Sequence, residues 1–251
     1  MKTVEIIFSP TGGTEKVASI ISHSWSSHPT VIDLTDPRKD FSLTSINKED
    51  MVLIAMPSFG GRAPAVAIER LKKIKGNGAK CTLVAVYGNR AYEDTLVEME
   101  DAAKECGFSI VAAISSVAEH SIIHEYGAGR PDEDDKKELI SFAERIISKE
   151  NGCPSIPGNR PYKKSGAGLV PKPTKECTKC SLCAQLCPVE AIDTKDFTAD
   201  PKKCISCMRC VTKCPSGTRK PNGVMVSIAA LAIKKACSVR KENELFIYSS
   251  L

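Results

Sequence analysis

The stretch Cys177-Thr178-Lys179-Cys180-Ser181-Leu182-Cys183-Ala184-Gln185-Leu186-Cys187-Pro188 returns in spacing 27 residues later, as Cys204, Cys207, Cys210 and Cys214 ahead of Pro215. Eight of the twelve cysteines sit in this repeat, and each half reads C-x2-C-x2-C-x3-C-P. Each iron corner of a 4Fe-4S cluster needs a soft, deprotonated thiolate, and this spacing carries successive sulfurs around one cluster. Zinc is the first competing reading. It would use four ligands with a longer gap between cysteine pairs and often an imidazole, whereas no histidine follows His124. A disulfide scaffold is the second, but no secretory leader accompanies the cysteines and both runs keep the cluster spacing in full.

The doubled run resembles the bacterial two-cluster ferredoxins over about 40 residues. That resemblance implies two [4Fe-4S] clusters, with the fourth cysteine of each run crossing to the other cluster. Cys177, Cys180, Cys183 and Cys214 would then hold one cluster, and Cys204, Cys207, Cys210 and Cys187 the second.

Charge divides the chain. Residues 1–150 carry 18 Lys+Arg against 23 Asp+Glu, and residues 151–251 carry 17 against 7, giving net charges of −5 and +10. Opposite halves suit two domains that attract each other, or a basic half that docks an acidic redox partner. Positive charge beside a cluster also raises its reduction potential. Nucleic acid is not expected, because the basic residues surround anionic clusters and are not interleaved with stacking aromatics. The longest late apolar run, residues 224–233, is too short to span a bilayer. A reducing, anaerobic cytoplasm is the expected setting for exposed clusters and thiolates. Association into a homo-oligomer stays open.

The first half alternates short apolar runs with helical patterns. Strands are expected at 3–8, 30–34, 51–56, 81–87 and 109–117, and helices at 15–25, 64–75, 92–106 and 132–149. Such alternation indicates a parallel five-stranded sheet covered on both faces, an α/β fold whose ligand lies at the carboxyl ends of the strands. Directly after the first strand stands Ser9-Pro10-Thr11-Gly12-Gly13-Thr14. Hydroxyls and glycines at a helix start turn free amides and the positive dipole end toward an anion. The loop lacks the lysine of a P-loop and the spacing of G-x-G-x-x-G, and an ordinary capped turn competes with it. The loops after the third and fourth strands read Pro57-Ser58-Phe59-Gly60-Gly61-Arg62 and Gly88-Asn89-Arg90-Ala91-Tyr92-Glu93. Glycines there admit a planar ring, Phe59 and Tyr92 can flank it, and Asn89, Arg62 or Arg90 can bond its polar edge or dock a domain. Tyr92 can equally pack, as the first residue of a helix with the stripe Leu96, Met99, Ala103 and Cys106.

Ser-x-Thr-Gly-Gly-Thr resembles the flavodoxin phosphate loop, and residues 1–150 are similar to the flavodoxin family. Gly88-Asn89-Arg90-Ala91-Tyr92 resembles its subgroup fused to a two-cluster ferredoxin. The resemblance implies FMN, with Ser9, Thr11, Gly12, Gly13 and Thr14 at the phosphate. It places Pro57, Ser58, Phe59, Gly60, Gly61, Gly88, Asn89, Arg90 and Tyr92 around the ring. It departs from the family in charge and in its one tryptophan, Trp25, which falls in the first helix.

Residues 151–173, with five prolines and four glycines, are expected to be a linker, looser at 165–168. Residues 174–251 then form the α+β cluster domain, with Ala191-Ile192 and Phe197-Thr198 as its apolar lid and hairpin and a helix over 224–237. That helix either packs back on a domain or binds a partner. His120 and His124 suit surface or hydrogen-bonding roles better than a metal. Cys81, Cys106, Cys153 and Cys237 lack ligand spacing and are expected to be ordinary thiols. The fusion is expected to pass electrons between FMN, the clusters and an external redox protein. Reduction of a small substrate at the flavin is the alternative, and clusters that only staple the fold are a third reading.

Overall fold

The computed structural model describes residues 2–148, 154–164, 166 and 168–247. Cys153 therefore lies outside the described residues. Five parallel strands, β1 (Thr3–Ile7), β2 (Thr30–Asp33), β3 (Met51–Pro57), β4 (Lys80–Tyr87) and β5 (Ser109–Val117), stand in the order 2-1-3-4-5. That is the doubly wound, flavodoxin-like order.

Period-two alternation sorts the strand side chains into two cores. Val4, Ile6, Val52, Ile54 and Leu83 face one way, with Leu71 of α2 (Ala65–Leu71) and Leu96 and Met99 of α3 (Thr95–Glu105). Ile7, Leu53, Ala55 and Val84 face the other, with Val17 and Ile21 of α1 (Gly13–His23) and Leu139 and Ala143 of α4 (Glu133–Ser148). Trp25 belongs to the second core, where its Nε1 donates to the Ala143 carbonyl at 3.0 Å.

Two boundaries differ from the sequence reading. The third helix starts at Thr95, not at Tyr92, because Glu93 takes a left-handed φ of 43° and Asp94 stands at the cap. The sheet also has a sixth strand. β8 (Glu244–Ile247) runs antiparallel along β5, pairing Ala112 with Ile247 and Ser115 with Glu244. The end of the described chain therefore returns to the sheet of the first half and covers its edge.

Between α4 and β8 lies the cysteine-rich segment. The two-residue strands β6 (Lys172–Pro173) and β7 (Arg219–Lys220) pair at its base, and the one-turn helices α5 (Leu182–Gln185) and α6 (Arg209–Thr212) lie within the two cysteine runs and carry Cys183 and Cys210. Ala191, Ile192 and Phe197 are buried, and Asp193 donates its amide to the Thr198 carbonyl at 2.9 Å, closing the small hairpin. The helix α7 (Gly223–Cys237) is capped by Asn222, whose side chain accepts from the Met225 amide at 3.1 Å. It packs back by one face, while Val224, Met225, Ile228 and Leu231 stay exposed.

The linker is strapped to α3. Asn159 and Lys163 each donate a backbone amide to Asp94, at 2.9 and 2.7 Å, and Arg160 bonds both Glu100 and Asp101. Arg62 grips Glu98 with two bonds of 2.7 Å, reaches the Lys163 carbonyl and lies 4.6 Å from the centre of the Tyr162 ring. Acidic α3 and a basic linker thus meet, as the split in charge suggested. Among the described residues, no helix is long and apolar enough to cross a membrane.

Candidate functional site

A cavity of about 370 Å³ opens at the carboxyl ends of the strands. Thr11, Gly13 and Thr14 line it from the first loop; Pro57, Ser58, Phe59 and Gly60 from the second; Gly88 and Arg90 from the third. Strand order dictates this meeting, since the chain reverses direction across the sheet beside β1 and leaves a crevice there. Gly12 starts α1 in a left-handed conformation, φ 94°, which turns the following amides toward the cavity mouth. Among the described residues, no acceptor in the chain takes the amides of Thr11, Gly12, Gly13 or Thr14. Ser9, buried one step back, accepts from the Glu15 amide at 2.9 Å and fixes the loop's shape. Free amides at the start of an 11-residue helix make an anion seat, and the remaining walls are largely apolar. The donor set fits a phosphate attached to a planar ring.

Three residues expected at the ring have other work. Asn89 takes a left-handed φ of 63° and is 5% exposed. Its Nδ2 donates to the carbonyls of Cys237 and Val239, at 2.9 and 3.0 Å, and its Oδ1 accepts from the Lys241 amide at 3.3 Å. It therefore clamps the chain leaving α7. Tyr92 packs 5.4 Å from Tyr87 and donates its hydroxyl to Glu244 of β8 at 2.8 Å. Gly61 is a glycine because of Glu93, whose carboxylate would lie 1.7 Å from a Cβ there. Arg90 lines the cavity while paired with Glu93 at 2.8 Å.

The rest of the wall comes from segments that local pattern does not connect. After β5, Ala118, His120, Ile122 and Ile123 line the cavity. His120 Nδ1 accepts from the amides of Ile122 and Ile123, at 3.2 and 3.1 Å, so a neutral ring carries its proton on Nε2. Burial, aided by the nearby charges of His124 and Arg90, pushes this imidazole down to about 4, so it is neutral at pH 7. Gly88 must lack a side chain to admit it, since a Cβ would meet His120 Cδ2 at 2.6 Å. Gly166, Gly168 and Leu169 of the linker and Ala229 and Ile233 of α7 roof the cavity. Ile205 and Ser206 complete it, and these are the two residues after Cys204 in the second cysteine run. Ser206 Oγ accepts from the Leu169 amide at 3.2 Å, and Ile205 packs against the core under β1 and β3.

The cysteines gather in two groups. Cys177, Cys180, Cys183 and Cys214 line one small hollow together with Phe197 and Arg219. Cys187, Cys204 and Cys210 pack together, and burial, with a smaller contribution from their charges, pushes the Cys207 thiol up to about 12. Iron binding must displace such protons. Cys214 differs. Burial raises its thiol, but bonds from the hydroxyls of Ser216 and Thr218 outweigh that and leave it at about 6, a ready thiolate. Among the described residues, no group of His, Cys, Asp or Glu closes tightly enough to grip a single metal ion. The four thiolates of a cluster stand further apart, around its irons. Arg70 ties the second group to the sheet domain by donating to the carbonyls of Leu34 and Pro188, both at 2.6 Å. Cys81, Cys106 and Cys237 stand apart as free thiols, with burial raising Cys106 to about 11.

Residues 176–218 match the family model of the 4Fe-4S dicluster domain. This part of the chain is a ferredoxin-type iron–sulfur domain, joined to the flavodoxin-like sheet. No curated protein matches the chain. Among solved structures, a flavodoxin of Streptococcus pneumoniae TIGR4 is similar at 20% identity over 59% of this chain and 99% of its own, with a TM-score of 0.41. Flavodoxin 2 of Bacillus cereus is similar at 16% identity over 60% and 100%, with a TM-score of 0.44. The rubredoxin oxygen:oxidoreductase of Desulfovibrio gigas is 16% identical over 58% of this chain and 35% of its own, with the same TM-score.

Proposed function

We propose that the protein is an electron carrier in which one FMN and two [4Fe-4S] clusters form a single conduit to an external redox protein. The observation that carries the reading is the shared wall of the cavity, where the anion seat at α1 and the Cys204–Cys207 loop of the dicluster domain bound one space. When bound, FMN exchanges one or two electrons, whereas each cluster exchanges one.

The chain's own residues would divide the work by position. Amides of residues 11–14 and the hydroxyls of Thr11 and Thr14 hold the phosphate. Phe59, Gly60 and Gly88 bound the ring, and neutral His120 presents an Nε2–H donor at the wall. Ile205 and Leu169 keep water from the passage between the cavity and Cys204. The two cysteine groups hold the clusters as the doubled spacing implies, with Cys187 and Cys214 exchanged between runs. Reduction of a small substrate fits less well, because α7 and the linker roof the space in which such a molecule would stack.

The test is anaerobic purification with iron, sulfide and released-flavin analysis, followed by stepwise reduction watched by EPR and absorbance. Eight irons and one FMN per chain, with electrons equilibrating between clusters and flavin within one molecule, are expected. Zinc, four irons or a flavin-free protein would refute the conduit. Turnover of a small acceptor at the rate of flavin reduction would favour the oxidoreductase instead.

A further inference from the structure

Arg219 is the anomaly of the dicluster domain. The residue is 2% exposed, yet no carboxylate lies within ion-pair distance among the described residues. Its Nη1 donates to the Phe197 carbonyl at 2.8 Å and its Nη2 to the Pro171 carbonyl at 3.0 Å, both neutral acceptors. Its Nε is buried and has no acceptor at all. A guanidinium does not shed its charge, so burial without an anion is strongly unfavourable. Every other deeply buried arginine here has its counter-charge: Arg130 grips Asp135.

The anions must come from the cysteines. Arg219 lines the hollow shared by Cys177, Cys180, Cys183 and Cys214, with Nη1 3.9 Å from Cys183 Sγ. Cys183 in turn packs together with Cys187, Cys204 and Cys210 of the other group. One fixed cation thus stands between the two sets of thiolates. Each 4Fe-4S cluster with four thiolates is an anion, and it gains one further negative charge and no proton with every electron it accepts.

We infer that Arg219 is the internal counter-ion of both clusters, a positioning residue that raises their reduction potentials and offsets their mutual repulsion when both are reduced. This rests on the two-cluster reading above. A cation held in a low-dielectric interior favours the more anionic, reduced state of each cluster. Contact with Cys183 makes the Cys177 cluster the more strongly affected.

The test uses the full-length chain, loaded with iron and sulfide, in three forms: unmodified, Arg219→Gln and Arg219→Lys. The iron count of the unmodified protein tests the two-cluster reading alone. EPR-monitored potentiometry of each cluster tests the role of Arg219. In Arg219→Gln, the reduced-to-oxidised ratio at fixed poise should fall at least tenfold for the Cys177 cluster, about 59 mV for a one-electron couple. The fall should be smaller for the other cluster, and Arg219→Lys should restore most of both. Unchanged potentials in a fully loaded Arg219→Gln protein would overturn the inference. If the Gln variant fails to load, the Lys variant decides. Normal iron content with near-native potentials supports charge as the cause. Failure to load, or a reduced-to-oxidised ratio shifted by more than tenfold at fixed poise, assigns the role to the bonds with Phe197 and Pro171 and overturns the inference.

Discussion

Replacing Asn89 by glycine removes three bonds from one buried side chain while keeping a residue that tolerates the left-handed backbone. The two bonds to Cys237 and Val239 are 2.9 and 3.0 Å long, and the one from Lys241 is 3.3 Å. Counting about 1 kcal/mol for each short bond and about 0.5 for the long one gives about 2.5 kcal/mol for the hold on the tail. Asn89→Ala loses the same bonds and adds about 1 kcal/mol for placing a Cβ residue at φ 63°. Hydrogen exchange read by mass spectrometry on peptides of residues 239–247 measures the local opening directly. Opening should become about sixtyfold more frequent in the Gly variant and about three-hundredfold in the Ala variant. Peptides from β1 and β3 should not change. Because α7 roofs the cavity, flavin release should also quicken. If tail exchange is unchanged while the flavin spectrum shifts, Asn89 acts on the ring and the clamp is wrong.

Gly88→Ala would drive a Cβ to within 2.8 Å of the His120 Cα, and the wall must shift at a cost of about 1–3 kcal/mol. FMN binding, followed by fluorescence quenching, should weaken about tenfold to a hundredfold. Cys214→Ser and Cys177→Ser should each disturb the same EPR signal, leaving about four irons and the signal lost in Cys187→Ser and Cys204→Ser. Signals that group by run instead would defeat the exchange of fourth ligands. Arg240 holds Asp132 well below the usual carboxylate range by hydrogen bonding, helped by the Asp135 amide. The stability from such a depressed carboxylate is full above its unfolded value, about 3.9, and is lost as pH falls through the folded value. Tail protection in the apo chain should therefore be flat from pH 7 to 5 and fall below about pH 4. Arg240→Ala should flatten that acid limb at a cost below about 1 kcal/mol, since the pair is half exposed.

Much of the sheet was readable because each of its strands is a short apolar run and each helix carries a stripe. The loop that opens α1 was readable as well, because Ser9 to Thr14 carry its hydroxyls and glycines within six consecutive residues. The bonds of Asn89 and Tyr92 were not readable, because the partners that occupy them, Val239 and Glu244, lie about 150 residues away and leave no trace in the local pattern. Four residues ending in Ile247 are too few to announce a strand, and an antiparallel partner after a cluster domain has no periodic signal. The cavity roof escaped notice likewise. Gly166, Ile205 and Ala229 belong to three segments that converge only once the linker is strapped to α3.

The return of β8 to β5 gives the chain an order of completion. The dicluster segment is synthesised after β5 and before β8, so the sheet's outer edge stays open until all eight cysteines have emerged. An open edge is exposed to mispairing, and a long-range strand is slow to arrive. Closure must also draw Val239 and Lys241 onto Asn89, which requires the cluster segment to be compact enough for its two ends to meet on one sheet. Compaction of the cysteine-rich segment and completion of the sheet's edge are in this way coupled through the chain that joins them.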